Sequence, residues 1–209
     1  MVEQEPPGPL GRPQSTTKGV ISDIAIGLFA THGFDSTSVD DIAEAAGIAR
    51  RTFFRYFPSK NAVPWGDFEA GLSVLRHLFA KMPTSTSVAD AVMAALLQFN
   101  SFPHEEREVH RTRMRLIFEV PALQGYSMVM YQGWRAVIAE FVAVREGLVP
   151  TDLYPRTAGW LALGIAVSAY EQWLADDDAD LADLLRQAAE PLFLGLQRST
   201  GSTSDGGVS

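Results

Sequence analysis

The 209-residue chain contains no cysteine. Disulfides, thiolate zinc sites and cysteine nucleophiles are thereby excluded. Histidine is scarce as well, with four in all: His32, His77, His104 and His110. His104 and His110 lie near Glu105 and Glu108, but at a spacing that matches no metal motif, and His32 suits a helix C-terminus. No catalytic set, metal site or cofactor motif emerges, so an enzyme is not expected. Long hydrophobic runs are missing too. The longest uncharged stretch, between Arg156 and Glu171, is too short and too rich in small residues to span a membrane. The N-terminus lacks a basic region followed by an apolar stretch, which argues against a secretory signal. A soluble cytoplasmic protein with no membrane partner is the expectation. No segment alternates apolar and polar residues for long, so no sheet is expected and the fold class is all-α.

There is no excess of positive charge; the formal net charge is -8. This does not exclude nucleic acid, because the charge of the docking face decides. Between Ala49 and Lys60 stand Arg50, Arg51, Arg55 and Lys60 with no acidic residue. The acids cluster elsewhere, as in Asp176-Asp177-Asp178 and Glu105-Glu106. An acidic body with one basic edge would orient itself on DNA.

Residues 1–14, rich in proline and glycine, read as a disordered arm, and 199–209 as a disordered tail. A first helix starts near Thr16, with Ile21, Ile24, Ala25, Leu28 and Phe29 forming its apolar stripe. Gly33 is placed as a left-handed C-cap and Phe34 as its apolar partner. Ser38 caps a short second helix whose buried face is Val39, Ile42, Ala43 and Ala46. Gly47 ends it, and Ile48 points inward across the turn. A third helix covers 49–56, and Pro58 stops it. Ser59 then caps a fourth helix, with a short first turn or a kink at Pro64, that reaches Lys81. Further helices are predicted over 88–101, 105–119, 122–146, 151–175 and 180–198.

Two short helices joined at Ala46-Gly47-Ile48 make a helix-turn-helix over 38–57. Small residues at Ala43, Ala46 and Gly47 let the helices cross closely, and the second can enter a major groove about 12 Å wide. Phe53 and Phe57, four apart, anchor it. Arg50, Arg51, Thr52, Phe54, Arg55 and Tyr56 are left to face outward or sideways. Arginine can take guanine bidentately, threonine can reach phosphate, and an aromatic ring can touch a thymine methyl. Lys60 suits a phosphate. On composition alone the same segment is equally a solvated basic helix with a buried aromatic face.

From about Val20 to Phe68 the sequence resembles the DNA-binding domain of TetR-family repressors. The matching string runs Ala25…Leu28-Phe29…Gly33-Phe34…Thr37-Ser38-Val39…Ile42-Ala43…Ala46-Gly47-Ile48…Thr52-Phe53-Phe54-Arg55-Tyr56-Phe57-Pro58-Ser59-Lys60. The resemblance implies a helix-turn-helix domain at 15–60 and a larger helical effector-binding and dimerisation domain at 61–198. It places Thr37 and Ser38 near phosphate, and Thr52, Phe54, Tyr56 and Lys60 on the reading surface. Two departures stand out. Phe54 replaces a frequent tyrosine and so lacks a phenolic phosphate contact, and Arg51 replaces a commonly small residue. A narrower resemblance, to TetR-type regulators of actinobacterial mycofactocin systems, rests on 50–61, on Val63-Pro64-Trp65-Gly66-Asp67-Phe68, on Phe99-Asn100-Ser101-Phe102-Pro103, on 134–141 and on Ala169-Tyr170-Glu171-Gln172-Trp173-Leu174. It implies local control of the cluster that makes that peptide-derived redox cofactor, and a long-chain acyl-CoA as effector. The alternative is a TetR-type regulator of an unrelated efflux or lipid-metabolism cluster that senses another apolar small molecule.

In the larger domain, Phe99, Phe102, Met114, Phe118, Met128, Tyr131, Trp134 and Tyr170 are the candidate lining of an effector pocket, with Met130 and Trp160 as further large apolar candidates. Plain packing is the competing reading for each. Arg107, Arg111, Arg113 and Arg115 sit among Glu105, Glu106 and Glu108, either as surface ion pairs or, for Arg113 and Arg115, as a basic rim for acyl-CoA phosphates. The last two long helices are expected to form a homodimer. Trp160, Leu161, Leu163, Gly164, Val167 and Ser168 give one face, and Leu181, Leu184, Leu185, Ala188, Leu192 and Phe193 the other. Two reading helices about 34–36 Å apart would require a pseudo-palindromic double-stranded operator.

Overall fold

The computed structural model describes residues 17–198, with side chains through Pro191, so the expected arm, the expected tail and the side chains of Leu192 and Phe193 lie outside the described residues. The described residues are helical and contain no strand. None of their helices is long and apolar enough to cross a membrane. The contacts divide the chain after Gly66 into two compact units.

The first unit opens with α1 (Lys18–His32), capped by Thr17, whose side chain accepts from the Val20 N–H. Its buried face is Ile21, Ser22, Ala25, Ile26 and Phe29, rotated from the expected stripe so that Ile24 and Leu28 are only half-buried. Ser22 is the reason. Its hydroxyl donates to the Val63 carbonyl at 2.8 Å, a buried bond that draws this side of the helix inward. Gly33 has the required positive φ of 86°, but its ψ of 152° is extended rather than left-handed helical. Phe34 still folds back onto Phe29, with ring centroids 4.9 Å apart.

Helix α2 (Val39–Ala45) carries a capping box: the Ser38 side chain accepts from the Asp41 N–H while the Asp41 carboxylate accepts from the Ser38 N–H. Those Ser38 hydrogen bonds, backbone first, hold the Asp41 carboxyl below its usual range. Gly47, at φ 65°, makes the turn into α3 (Arg50–Tyr56). Ser59 makes no side-chain cap bond, and it leads into a separate 3-10 turn, Lys60–Trp65, which is the short first turn of the two alternatives, before a helix that ends at Lys81 as expected. Pro64, without an N–H, is accommodated in that turn, and Gly66 at φ 55° breaks the chain direction before the next helix.

The second unit consists of α4 (Phe68–Lys81), α5 (Val88–Phe99), a 3-10 turn (His104–Glu106), α6 (Arg107–Glu119), α7 (Pro121–Glu146), α8 (Leu153–Ala175) and α9 (Leu181–Arg198). Pro121 stands in the first turn of α7, where its missing N–H costs nothing, and Gly147 ends that helix in the left-handed region. One core joins α4, α5, α7, α8 and α9 around Leu75, Leu96, Ile138, Trp173 and Leu185. Leu163 is buried in it, and so are Leu181 and Leu185, so these three serve the chain's own core and not the expected partner face. Trp160 and Leu161 remain about half exposed.

Helices α7 and α8 approach closely at Gly159, where an added Cβ would lie 2.9 Å from the Arg135 carbonyl oxygen. A backbone atom cannot swing aside. Gly159→Ala should therefore destabilise the protein by about 1–3 kcal/mol despite the better helix propensity of alanine, lowering the melting temperature by about 2–4 °C for each kcal/mol. A calorimetric scan checks this, and an unchanged or raised melting temperature contradicts it.

Candidate DNA-reading surface and aromatic interior

Helix α3 has seven residues and two faces. Phe53 and Phe57 are buried at 0% and 2% exposure, their ring centroids 5.7 Å apart. Arg50, Arg51, Phe54 and Arg55 are exposed, with Thr52 and Tyr56 half-buried. Arg50 reaches back to Asp40 of α2 at 2.6 Å and lies 5.4 Å from the centre of the Phe54 ring; Arg55 lies 5.3 Å from that of Tyr56. The predicted set therefore divides into four exposed residues and two, Thr52 and Tyr56, that are partly covered.

The flanking residues differ from expectation. Thr37 is buried at 1% exposure, and its hydroxyl donates to the Gly33 carbonyl at 2.8 Å. Its side chain has no path to a phosphate and instead fixes the turn between α1 and α2. Ser38 is exposed, but its hydroxyl is the cap of α2. Lys60 donates to the Phe34 and Thr37 carbonyls at 2.7 and 2.9 Å, and its ammonium sits 4.2 Å from the Phe34 ring centre. Its first task is to staple the residues after α3 to the α1–α2 turn, leaving one of three N–H groups for any further contact. Local spacing in sequence cannot reveal a contact between segments so far apart along the chain.

In the second unit, Phe99, Phe102, Met114, Phe118, Tyr131, Trp134 and Tyr170 all pack on the core, as the packing reading of each expects, and of these only Phe102 lines either of the two clefts described below. Met128 does not pack on the core. It is 55% exposed on the outer side of α7 and lines no interior. Two further residues, His110 and Trp173, complete the cluster. The His110 ring lies 4.2 Å from that of Phe102 and 5.7 Å from that of Tyr170. Tyr170 and Trp173 meet edge-on at 5.9 Å.

A chain of hydrogen bonds runs through these rings. Asn100 Nδ2 donates to the Leu96 carbonyl at 2.8 Å, which turns its Oδ1 toward Tyr170. The Tyr170 hydroxyl donates to that oxygen at 2.9 Å. The single phenolic proton is then engaged, so His110 Nε2, 2.8 Å away, must be the donor to the Tyr170 oxygen. The order of donors requires a proton on Nε2 of His110. Burial, with the nearby Arg113 charge, pushes the His110 pKa down to about 4, and burial pushes the Tyr170 phenol up. A cleft of about 670 Å³, lined in part by Asn100, Ser101, Phe102, Arg107 and Trp173, opens beside this cluster. A second, almost wholly apolar cleft of about 200 Å³ lies among α5, α8 and α9, lined by Val92, Met93, Leu96, Leu161 and Ile165 among others. No sequence signal marks this second cleft, because its lining is ordinary aliphatic residues from three helices.

The arginines of α6 are not equivalent. Arg111 is 2% exposed, pairs with Asp177, donates to the Leu174 and Asp176 carbonyls and lies 4.6 Å from the Trp173 ring centre. Arg107 donates to the Asp177 and Ala179 carbonyls. Arg111 closes the C-terminal end of α8, where carbonyls lack helical partners, and Arg107 holds the segment that follows it. The partners of Arg107 and Arg111 thus lie on the end of α8 and the segment after it, not among the neighbouring glutamates as read from helical spacing. Arg115 lies 3.7 Å from the same Asp177.

Comparison with known proteins places both units. The family described as "Bacterial regulatory proteins, tetR family" matches residues 21–63, and that described as "MftR C-terminal domain" matches residues 86–197. The chain belongs to the TetR family. Within it, this TetR-type transcriptional regulator is 53% identical over 189 residues to a Mycobacterium tuberculosis protein named as the mycofactocin biosynthesis transcriptional regulator MftR, covering 90% of this chain and 96% of that one. Among solved structures, the fatty acid degradation regulator FadR of Bacillus halodurans superposes with a TM-score of 0.60 at 20% identity, over 84% of this chain and 97% of that one. FadR of Bacillus subtilis in complex with stearoyl-CoA gives 0.57 at 16% identity, over 82% and 95%. These structures share the fold of the regulator.

The low pKa of His110 has a consequence for stability. The unfolded chain takes up a proton below its ordinary pKa of about 6.5, whereas the folded chain does so only near 4, so stability present above pH 6.5 is lost as the pH falls toward 4. The loss should approach about 3 kcal/mol. Denaturant melts at pH 7 and pH 5 should capture about 2 kcal/mol of it, with His110→Gln showing the smaller drop. Equal stability of the native protein at the two pH values rules this out.

Proposed function

We propose that this regulator binds a pseudo-palindromic operator as a homodimer, represses the genes beside it, and is released by a long-chain acyl-CoA. The arrangement of α3 carries the DNA reading. Four exposed residues, three of them arginines, stand on a helix whose opposite face is anchored by two buried rings, which is the form of a helix presented to a groove. The half-exposed Trp160 and Leu161, with Gly164 and Ser168 on the same side of α8, support a dimer face. The aromatic interior and its clefts support an apolar effector, and the stearoyl-CoA held by the Bacillus subtilis neighbour suggests its class. The similarity to MftR suggests that the controlled genes are a mycofactocin cluster. For an effector to release DNA it must bind one conformation better than the other.

A gel shift on the DNA upstream of the regulator's own gene tests the reading. A shift is expected, reversed by micromolar long-chain acyl-CoA but not by free coenzyme A, and Arg51→Ala should weaken it by about 5–150-fold. No shift on that promoter or its neighbours would defeat the repressor model. Light scattering should give a dimer for the native chain and a folded monomer for Leu161→Glu; a native monomer at micromolar concentration removes the two-fold argument.

A further inference from the structure

Phe54 is the exception among the phenylalanines of the first unit. Phe29, Phe34, Phe53 and Phe57 are all buried, whereas Phe54 is 44% exposed in the middle of α3. A phenyl ring left in water forgoes stabilisation that burial would give it. Nor is the ring free to fold away. Its edge meets Phe53 at 90° with centroids 5.4 Å apart, and Phe53 is fixed in the core. The Arg50 guanidinium lies 5.4 Å from the Phe54 ring centre and is itself held by Asp40 at 2.6 Å. The ring is therefore a fixed apolar surface beside Arg50, on a helix that also carries Arg51 and Arg55 and no carboxylate.

We propose that Phe54 reads sequence by packing against the C5-methyl group of a thymine in the major groove. The inference rests on the reading of α3 as the helix that faces DNA. The chemistry leaves little choice. A phenyl ring has no donor or acceptor, so it takes no part in the hydrogen-bond code of base edges and makes no hydrogen bond to phosphate. The thymine methyl is the apolar group that the major groove wall offers. The arginines of α3 draw the helix toward phosphates, and the ring then meets the base edges with its position already set by Phe53. Arg50, with its charge paired to Asp40, is a positioning residue for the ring.

The test uses the full-length protein and an operator it binds, with each thymine of a half-site replaced in turn by deoxyuridine. That exchange removes the methyl and keeps base pairing. At one thymine the affinity should fall about fourfold, and about fifteenfold when the symmetry-related thymine is changed as well. In Phe54→Ala that penalty should vanish while penalties elsewhere remain, and in Phe54→Leu, which keeps an apolar contact, it should persist in reduced form. Asp40→Asn should reduce the same penalty. Circular dichroism verifies that each variant is folded. The proposal is overturned if no thymine shows a penalty, or if the penalties in Phe54→Ala equal those of the native protein. Failure of the native protein to bind any operator is a different outcome and would overturn the DNA reading beneath it.

Discussion

A seven-residue helix has no independent stability in water, and the first unit contains two of them, α2 and α3. Everything presented on α3 depends on how it is held. Phe53 and Phe57 supply the packing, and the Lys60 ammonium ties the chain beyond them to two carbonyls of the α1–α2 turn. Thr37 and the Ser38–Asp41 box fix the same turn from within. The polar residues around the reading helix are thus scaffold first. The exposed arginines and Phe54 inherit a fixed geometry from them.

The second unit solves a related problem in its interior. A histidine, a tyrosine and an asparagine share a chain of hydrogen bonds among aromatic rings, each donor having a stated acceptor. Such an arrangement is stable when complete and costly when one member is lost. Arg111 does the same at the end of α8, where a buried guanidinium is tolerated because a carboxylate, two carbonyls and the Trp173 ring surround it.

The all-α class, the helix-turn-helix and the inward roles of Phe53 and Phe57 were legible because they rest on local periodicity, capping and turn residues. The resemblance to TetR proteins also came through, since its motif is continuous from the first helix to Lys60. What spacing could not show were contacts between distant segments. The Ser22–Val63 bond rotated the face of α1. Lys60 turned out to be a staple, Thr37 to be buried, and Met128 to lie outside. The apolar stripe of α9 identified a buried face without saying whose core it entered, and Leu181 and Leu185 enter their own.

Trp160 has a use beyond packing. Of the four tryptophans, Trp134 and Trp173 are shielded from water, while Trp160 is 48% exposed with the Arg135 guanidinium 3.3 Å from its ring centre. An indole in that setting emits at longer wavelength than its buried counterparts, and its emission shifts when water is excluded. The half-wet ring on α8 therefore equips the protein with an intrinsic optical reporter, by which events at that face can be tracked without a label.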